Sequence, residues 1–322
     1  MAHRSILILP EDSERPIAAG IHAAKQSLKI KMFVFSDPQL VNAVIAAKKR
    51  GTRVQVMLNP SRRSGEHEND ATRKTLESAG IEVKDSNPAF GLTHEKSMLV
   101  DNRWAFIQSM NWEPKNLTQT RDYAIITSHR DEIRELNGCF DADWSRQKFE
   151  PVPGSGLIWC PGNGRERIAR FIDQANHNLL VQNERFQDPV IIERLVRAAL
   201  RGVKVHVMTK APHTLKPEKL LEGVSGLRLL DDVGIKVHRV KGLHGKMLLA
   251  DHARAIIGSI NLAPGSFDDR RELAIEVSDE AIVRRLEKTA CLDWKNSSTM
   301  DLTDHGLLVD LKDRAEELDL RS

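Results

Sequence analysis

The chain repeats itself at a spacing near 150 residues, and nothing else in the sequence limits the fold as strongly. Asp37-Pro38, followed by Arg50-Gly51-Thr52-Arg53-Val54-Gln55-Val56-Met57, returns as Asp188-Pro189 followed by Arg201-Gly202-Val203-Lys204-Val205-His206-Val207-Met208. Gly80-Ile81-Glu82-Val83 returns as Gly234-Ile235-Lys236-Val237. His94, Lys96 and Asp101 return as His244, Lys246 and Asp251, and Asp143-Trp144 as Asp293-Trp294. A unit of this length is a duplicated domain rather than a solenoid repeat. Small changes of offset mark loop insertions, after Met208 in the second half and before His94 in the first. Proline and glycine in Phe149-Glu-Pro-Val-Pro-Gly-Ser-Gly156 interrupt regular structure and mark the seam. The expected domains are therefore 1–150 and 151–296, with 297–322 left over as a charged helical tail.

Each half alternates strand and helix signals. In the first, Ile6–Leu9, Ile30–Phe35, Arg53–Leu58 and Ile81–Lys84 read as strands, and Arg15–Leu28 and Pro38–Lys49 as helices. Leu76–Ala79 closes a further helix. Strand-like runs at Lys96–Val100, Trp104–Ser109 and Tyr123–Thr127 then precede a helix from Asp131 to Trp144. Strands separated by helices, followed by strands joined through tight turns, predict an α/β chain of two mixed β-sheets flanked by helices.

The repeated residues carry chemistry. His94 and Lys96 lie two apart on a predicted strand and project to one face, as do His244 and Lys246. Ser109 and Asn111 form a second such pair, matched by Ser259 and Asn261. Asp122 and Glu272 follow at equal spacing. Asp101-Asn102 and Asp251-His252 suit hairpin turns and read as scaffold. Lysine, asparagine and serine supply donors for phosphate oxygens. Histidine serves as nucleophile or general acid/base near neutral pH. Asp122 and Glu272 can accept the other ring proton and fix the tautomer, as the third member of a catalytic triad does. A lone His-x-Lys is ordinarily a solvated pair; two copies in register with Ser, Asn and a late carboxylate are not. Two such sets across a pseudo-twofold axis would form one pocket at the domain interface. There one histidine would attack phosphorus while the other protonates the leaving oxygen.

This pattern, HxKxxxxD followed by (G)SxN and present twice, resembles the phospholipase D superfamily, over residues from about 5 to 295. The resemblance implies two α/β domains whose motifs meet in one site, with metal-independent catalysis through a covalent phosphohistidine. It makes His94 and His244 nucleophile and general acid/base, and gives the phosphate to Lys96, Lys246, Asn111 and Asn261. No metal or other cofactor is implied. Gln108 departs from the pattern where the second half has Gly258, and Asn116 stands where it has Ser266; neither removes a catalytic group.

Composition narrows the partners. With 48 Lys+Arg against 45 Asp+Glu, the net charge of +3 argues against a broad cationic sheath for duplex nucleic acid. Aromatic residues are 5% of the chain, with one tyrosine, too few to pave a single-strand platform. Cys139, Cys160 and Cys291 form no CxxC pair, so a disulfide framework or zinc ribbon is unsupported. The apolar run Ile6–Leu9 ends at Pro10, too short for a signal-peptide core, and no run approaches the roughly 20 residues that span a bilayer. The expectation is a cytoplasmic monomer, peripheral at a membrane surface. Its expected activity is that of a phospholipase D-like phosphodiesterase that hydrolyses or transphosphatidylates glycerophospholipids. The alternative is a nuclease of the same superfamily. Pro88–Leu92 and Ala263–Phe267 are candidate exposed apolar loops for lipid. Arg62, Arg63, Lys210, His213 and Lys216 are candidates for the substrate rim.

Overall fold

The computed structural model describes residues 3–61, 65, 67–211, 220–309 and 312. Arg62, Arg63, His213 and Lys216 lie outside the described residues. Two compact units are present. One comprises Met1–Gly164, Ile257–Ile260 and Gly265–Glu276; the other comprises Arg165–Ile256, Asn261–Pro264 and Val277–Ser322.

In the first unit β1 (Arg4–Leu9), α1 (Arg15–Ala23), β2 (Ser27–Met32), α2 (Pro38–Lys49), β3 (Arg53–Leu58), α3 (Asp70–Ser78) and β4 (Glu82–Asp85) alternate. After the two-residue β5 (Leu92–Thr93) come β6 (Ser97–Val100), β7 (Trp104–Gln108), α4 (Pro114–Thr118), β8 (Asp122–Thr127) and α5 (Arg130–Trp144). The strands order as β1-β8-β7-β6-β2-β3-β4. The helix-connected strands β2, β3 and β4 are parallel, and the rest pair antiparallel. Leu28, Ile30 and Met32 of β2 pack with Val54, Val56 and Leu58 of β3 and with Leu40, Val44 and Ala47 of α2 in one apolar core.

The second unit repeats this pattern. It holds α6 (Gly164–Asp173), β10 (Asn178–Gln182), α7 (Pro189–Leu200), β11 (Lys204–Thr209), α8 (Leu220–Asp232), β12 (Lys236–Arg239), β13 (Lys246–Ala250), α10 (Glu280–Lys295) and β16 (Ser298–Thr299). β10, β11 and β12 are parallel, and β13 and β16 join them antiparallel at either side. Between β13 and α10 the chain forms β14 (Arg254–Gly258), α9 (Pro264–Asp268) and β15 (Arg270–Val277). The repeat and the compact units divide the chain differently. Strand β9 (Leu157–Cys160) and most of β15 belong to the second repeat yet sit in the first unit, paired antiparallel as β1 is with β8.

The repeated Asp-Pro is a helix start. Asp37 and Asp188 cap α2 and α7 by accepting the amides of Leu40 (2.9 Å) and Ile191 (3.1 Å), with proline at the first helical position. The repeated Arg-Gly is the matching stop: Gly51 and Gly202 take φ of +93° and +88°. The hairpins at Asp101-Asn102 and Asp251-His252 have positive φ at both central residues, which asparagine and aspartate tolerate best among side chains.

Three sequence expectations are corrected. The first helix ends at Ala23 rather than Leu28, because Ala24 turns extended and the amides of Lys25, Gln26 and Ser27 bind the Asp101 carboxylate instead of helix carbonyls. The strand expected at Ile30–Phe35 accordingly starts at Ser27 and stops at Met32. The tail is not helical throughout: Ser298 and Thr299 add a strand to β12, helix returns over 304–309, and most of the chain after 309 lies outside the described residues. Among the described residues no helix is long and apolar enough to cross a membrane.

Gly258 has no room for a side chain. A Cβ there would collide with the Leu273 carbonyl and the Ala274 backbone, while its counterpart Gln108 turns its amide oxygen to the Trp112 indole N–H (3.0 Å). Gly258→Ala is therefore expected to lower the unfolding free energy by about 1–3 kcal/mol, measured by urea titration.

Candidate functional site

In the first unit, β15 lies parallel to β5, with Arg271 opposite Thr93. The next two amides, of His94 and Glu95, both donate to the Arg271 carbonyl at 2.9 Å. This seats His94 beside the residue after Arg271: His94 Nδ1 lies 2.8 Å from Glu272 Oε2 and 3.2 Å from the Ser259 carbonyl. An ionised carboxylate and a carbonyl only accept, so Nδ1 carries the proton and Nε2 is the basic nitrogen of the neutral ring. Burial would push the Glu272 carboxyl up, but His94, then Lys96, hold it below its ordinary value. The pair is thus built to stabilise a positive imidazole.

Lys96 donates to the His94 carbonyl (2.6 Å), and its ammonium sits 5.0 Å from the Phe33 ring. Phe33 also packs edge-on to His94 with centroids 4.9 Å apart. Ser109 donates to Asp122 (2.5 Å) and accepts the Tyr123 amide (2.8 Å); Thr120 donates to the other Asp122 oxygen (2.6 Å). The carboxylate on His94 is therefore Glu272 of the other repeat, while Asp122 of its own repeat receives these two hydroxyls. Ser259 mirrors Ser109 by accepting the Leu273 amide (3.1 Å). Asn111 donates to Glu113 (2.9 Å), and its Oδ1 is buried without a hydrogen-bond partner among the described residues, as is Oδ1 of Asn261.

In the second unit, Lys246 donates to the His244 carbonyl and to Glu184 (2.8 Å). Lys210 holds the other oxygen of Glu184 at 2.6 Å, and His244 Nε2 lies 4.0 Å from that carboxylate. Burial again works toward a raised pKa, but Lys246, Lys210 and His244 in turn hold Glu184 well below its ordinary 4.5. Sequence likeness misses Glu184 because it breaks the repeat. Its counterpart is Phe33, so a search for identities passes over it, whereas a search for charge gained between aligned repeats finds it. Asn261 sits on a loop fixed by the Leu262 carbonyl, which accepts the amides of Gln187 (2.8 Å) and Asp188 (3.0 Å). Asp251 accepts the amides of Asn176, His177 and Asn178, the same arrangement as Asp101.

On the opposite face of the His94 segment, a buried charge cluster links Lys31 to Glu95 (2.8 Å) and Asp143 (2.7 Å), and Asp143 to Arg271 through two bonds of 3.0 and 3.1 Å. Burial would depress Lys31, but Asp143 and then Glu95 hold its pKa above the usual lysine value. Asp143 is held below its ordinary value, the cost of burial being outweighed by Lys31 and Arg271. Burial pushes the Cys139 thiol up, so it remains protonated. Glu95, Cys139 and Asp143 are close enough together to ligate a cation, but the Lys31 ammonium is bonded to all three and fills that role.

Of the candidate lipid loops, Pro88 and Ala89 are exposed. Ala263, Ser266 and Phe267 are buried, the last two within α9, so the second stretch is a packed helical turn rather than an apolar rim.

Both repeats match the family described as cardiolipin synthase, PLD-like domain, over residues 17–144 and 168–294. The chain belongs to the phospholipase D superfamily. Among similar proteins of the superfamily, the polyphosphate kinase of Vibrio vulnificus strain YJ016 is 24% identical over 278 residues, covering 81% of this chain and 39% of that protein. The polyphosphate kinase of Synechocystis is 28% identical over 232 residues, covering 64% and 30% respectively. The chain thus spans well under half the length of these relatives. Among solved structures, phosphatidylserine synthase of Haemophilus influenzae Rd KW20 aligns with TM-score 0.74 at 12% identity, over 91% of this chain and 87% of that one. Polyphosphate kinase from Porphyromonas gingivalis aligns with TM-score 0.72 at 17% identity, over 92% and 48%. At these identities the structural likeness is one of fold.

The depressed carboxylates make stability pH-dependent. For a carboxyl whose folded pKa lies below its unfolded value of about 4.3, the stabilisation is complete above that value and is lost as pH falls through the folded pKa. Glu184→Gln is expected to cost roughly 1–3 kcal/mol at neutral pH. It should also flatten the acid side of the stability curve, because one such carboxylate no longer takes up a proton on unfolding. Urea titrations from neutral pH down to about pH 3 measure both effects.

Proposed function

We propose that the protein cleaves phosphodiesters of glycerophospholipids through a covalent phosphohistidine and passes the phosphatidyl group to water or an alcohol. The observation that carries this reading is the buried His94–Glu272 pair, an imidazole whose tautomer is set and whose positive form is compensated. In the first step a histidine Nε2 forms a P–N bond as the P–O bond to the head group breaks, and the second histidine gives its proton to the departing oxygen. In the second step that histidine removes a proton from water or an alcohol, the new oxygen bonds to phosphorus, and the P–N bond breaks. His94 and His244 take these two roles. Lys96, Lys246, Asn111 and Asn261 bind the phosphate oxygens, with Ser109 and Ser259 behind them. Asp101 and Asp251 serve the scaffold. The reading gives no step to a metal and places the protein peripherally at a membrane surface.

The relatives named polyphosphate kinase favour a second reading, phosphoryl transfer on a polyphosphate chain. Under either reading, His94→Ala and His244→Ala should each lower turnover by about a thousandfold or more while circular dichroism stays unchanged. Glu272→Gln keeps the shape of the pair but loses the charge, and should lower kcat by roughly 100- to 10,000-fold. Substantial activity in either alanine variant would sink the two-histidine mechanism.

The deciding experiment is incubation with labelled phosphatidylcholine and phosphatidylglycerol vesicles in EDTA with ethanol. Phosphatidic acid together with phosphatidylethanol is the expected result. No lipid product, with transfer between polyphosphate and a nucleotide in parallel reactions, would move the second reading to first place. Cleavage of DNA or RNA alone would make the protein a nuclease.

A further inference from the structure

We propose that Lys31, Glu95, Asp143 and Arg271 form a positioning network that holds His94 against Glu272 and so controls turnover without touching substrate. This rests on the phosphohistidine reading of the site. Neighbouring residues of an extended segment project to opposite sides. His94 meets Glu272 while the adjacent Glu95 binds the Lys31 ammonium (2.8 Å), so the two side chains leave their segment toward different partners. Glu272 meets His94, so Arg271 before it points away. Glu95 and Arg271 are thus the reverse sides of the two segments that form the pair. They are joined through Lys31 and Asp143 in the chain Glu95–Lys31–Asp143–Arg271.

The backbone alone gives those segments little hold on each other. The parallel pairing of β5 with β15 is two residues long, followed by the shared Arg271 carbonyl. Side chains that clamp both segments from behind add what this short ladder lacks. Arg271 is further seated by Phe90, whose ring centre is 4.1 Å from the guanidinium carbon, and by Phe149 at 5.7 Å. All four network residues are at most 3% exposed, and their charges cancel as two cations and two anions. Buried ion pairs of this kind are often replaceable by apolar residues without loss of stability. Stability alone therefore does not account for the network, whereas its attachment to both halves of the pair does.

The second repeat supplies an internal comparison. At the matching positions it has Gln182, Gly245 and Asp293, and Asp293 accepts a bond from the neutral Gln182 (2.9 Å). Arg121, the counterpart of Arg271, binds Glu11 and the Leu9 carbonyl (2.6 Å). The second repeat thus has neutral residues, Gln182 and Gly245, where the first has the Lys31–Glu95 ion pair.

The test is the double variant Lys31→Met/Glu95→Gln, which removes one cation and one anion and leaves the Asp143–Arg271 pair in place. The expected result is a native circular dichroism spectrum, kcat reduced roughly ten- to a hundredfold, and KM within about twofold of wild type. The imidazole NMR spectrum should also change, with the strongly deshielded His94 Nδ1 proton of the wild type shifted or exchange-broadened. A folded variant with unchanged kcat and unchanged His94 resonance would overturn the proposal. Arg271→Lys keeps the charge but loses the two-pronged bond to Asp143. It should lie between wild type and the double variant in both readouts, and it carries the test should the double variant fail to fold. If wild-type protein turned over no phosphodiester or polyphosphate, the phosphohistidine reading would fall, while the His94 resonance would still decide whether the network positions the ring.

Discussion

The amides of His94 and Glu95 end on one carbonyl oxygen, that of Arg271, across a parallel pairing of two residues. Much of the first unit's chemistry depends on that junction, because it brings a strand of the second repeat to the motif of the first. Closing so long a loop has an entropic cost, though that cost grows only slowly with length, and a two-residue ladder recovers little of it. The antiparallel pairing of β15 with β9 and the charge network supply further contacts that hold β15 in place. One consequence is interdependence. The His94–Glu272 pair contains one residue from each repeat, so neither repeat could keep it alone. Duplication here has not left two copies of a working part.

The two motifs are also electrostatically unequal. Lys96 faces the ring of Phe33, which attracts a cation weakly and offers no competing acid. Lys246 is bound by Glu184, itself shared with Lys210. An anion reaching Lys246 competes with a carboxylate already in place. Replacing Phe33 and Asn59 of the first repeat by Glu184 and Lys210 in the second adds one charge of each sign. The net charge of the set is unchanged.

Legibility in the sequence depended on what duplication preserves. Asp37-Pro38 and Asp188-Pro189 were readable because a cap and a first-turn proline are local devices. The α/β class followed from the alternation of elements, and His94, Lys96, His244 and Lys246 stood out by identity in register. Features that needed distant chain segments were harder to read. The end of α1 is set by Asp101, more than seventy residues away, which draws the amides of Lys25 to Ser27 out of helical bonding. The partner of His94 depended on which strand lay beside β5, and spacing within a repeat carries no information about that. Lys31 and Glu95 escaped notice because the second repeat has Gln182 and Gly245 there, so comparing repeats for likeness hid the places where they had diverged.

Divergence is nonetheless where the function of this chain must be sought. The fold is shared with proteins named for different reactions, phosphatidylserine synthase and polyphosphate kinase among them, so the fold cannot select the substrate. The residues common to both repeats are His94, Lys96, Ser109 and Asn111 with their counterparts His244, Lys246, Ser259 and Asn261. The repeats differ at single side chains: Glu184 stands against Phe33, and Lys31 and Glu95 stand against Gln182 and Gly245. Glu184 puts a carboxylate on Lys246, and Phe33 puts an aromatic ring beside Lys96. Lys31 and Glu95 lie in the buried charge network behind His94, and under the proposed positioning role they act on the direction of one imidazole. An error of an ångström in that direction is enough to separate bound substrate from reacting substrate.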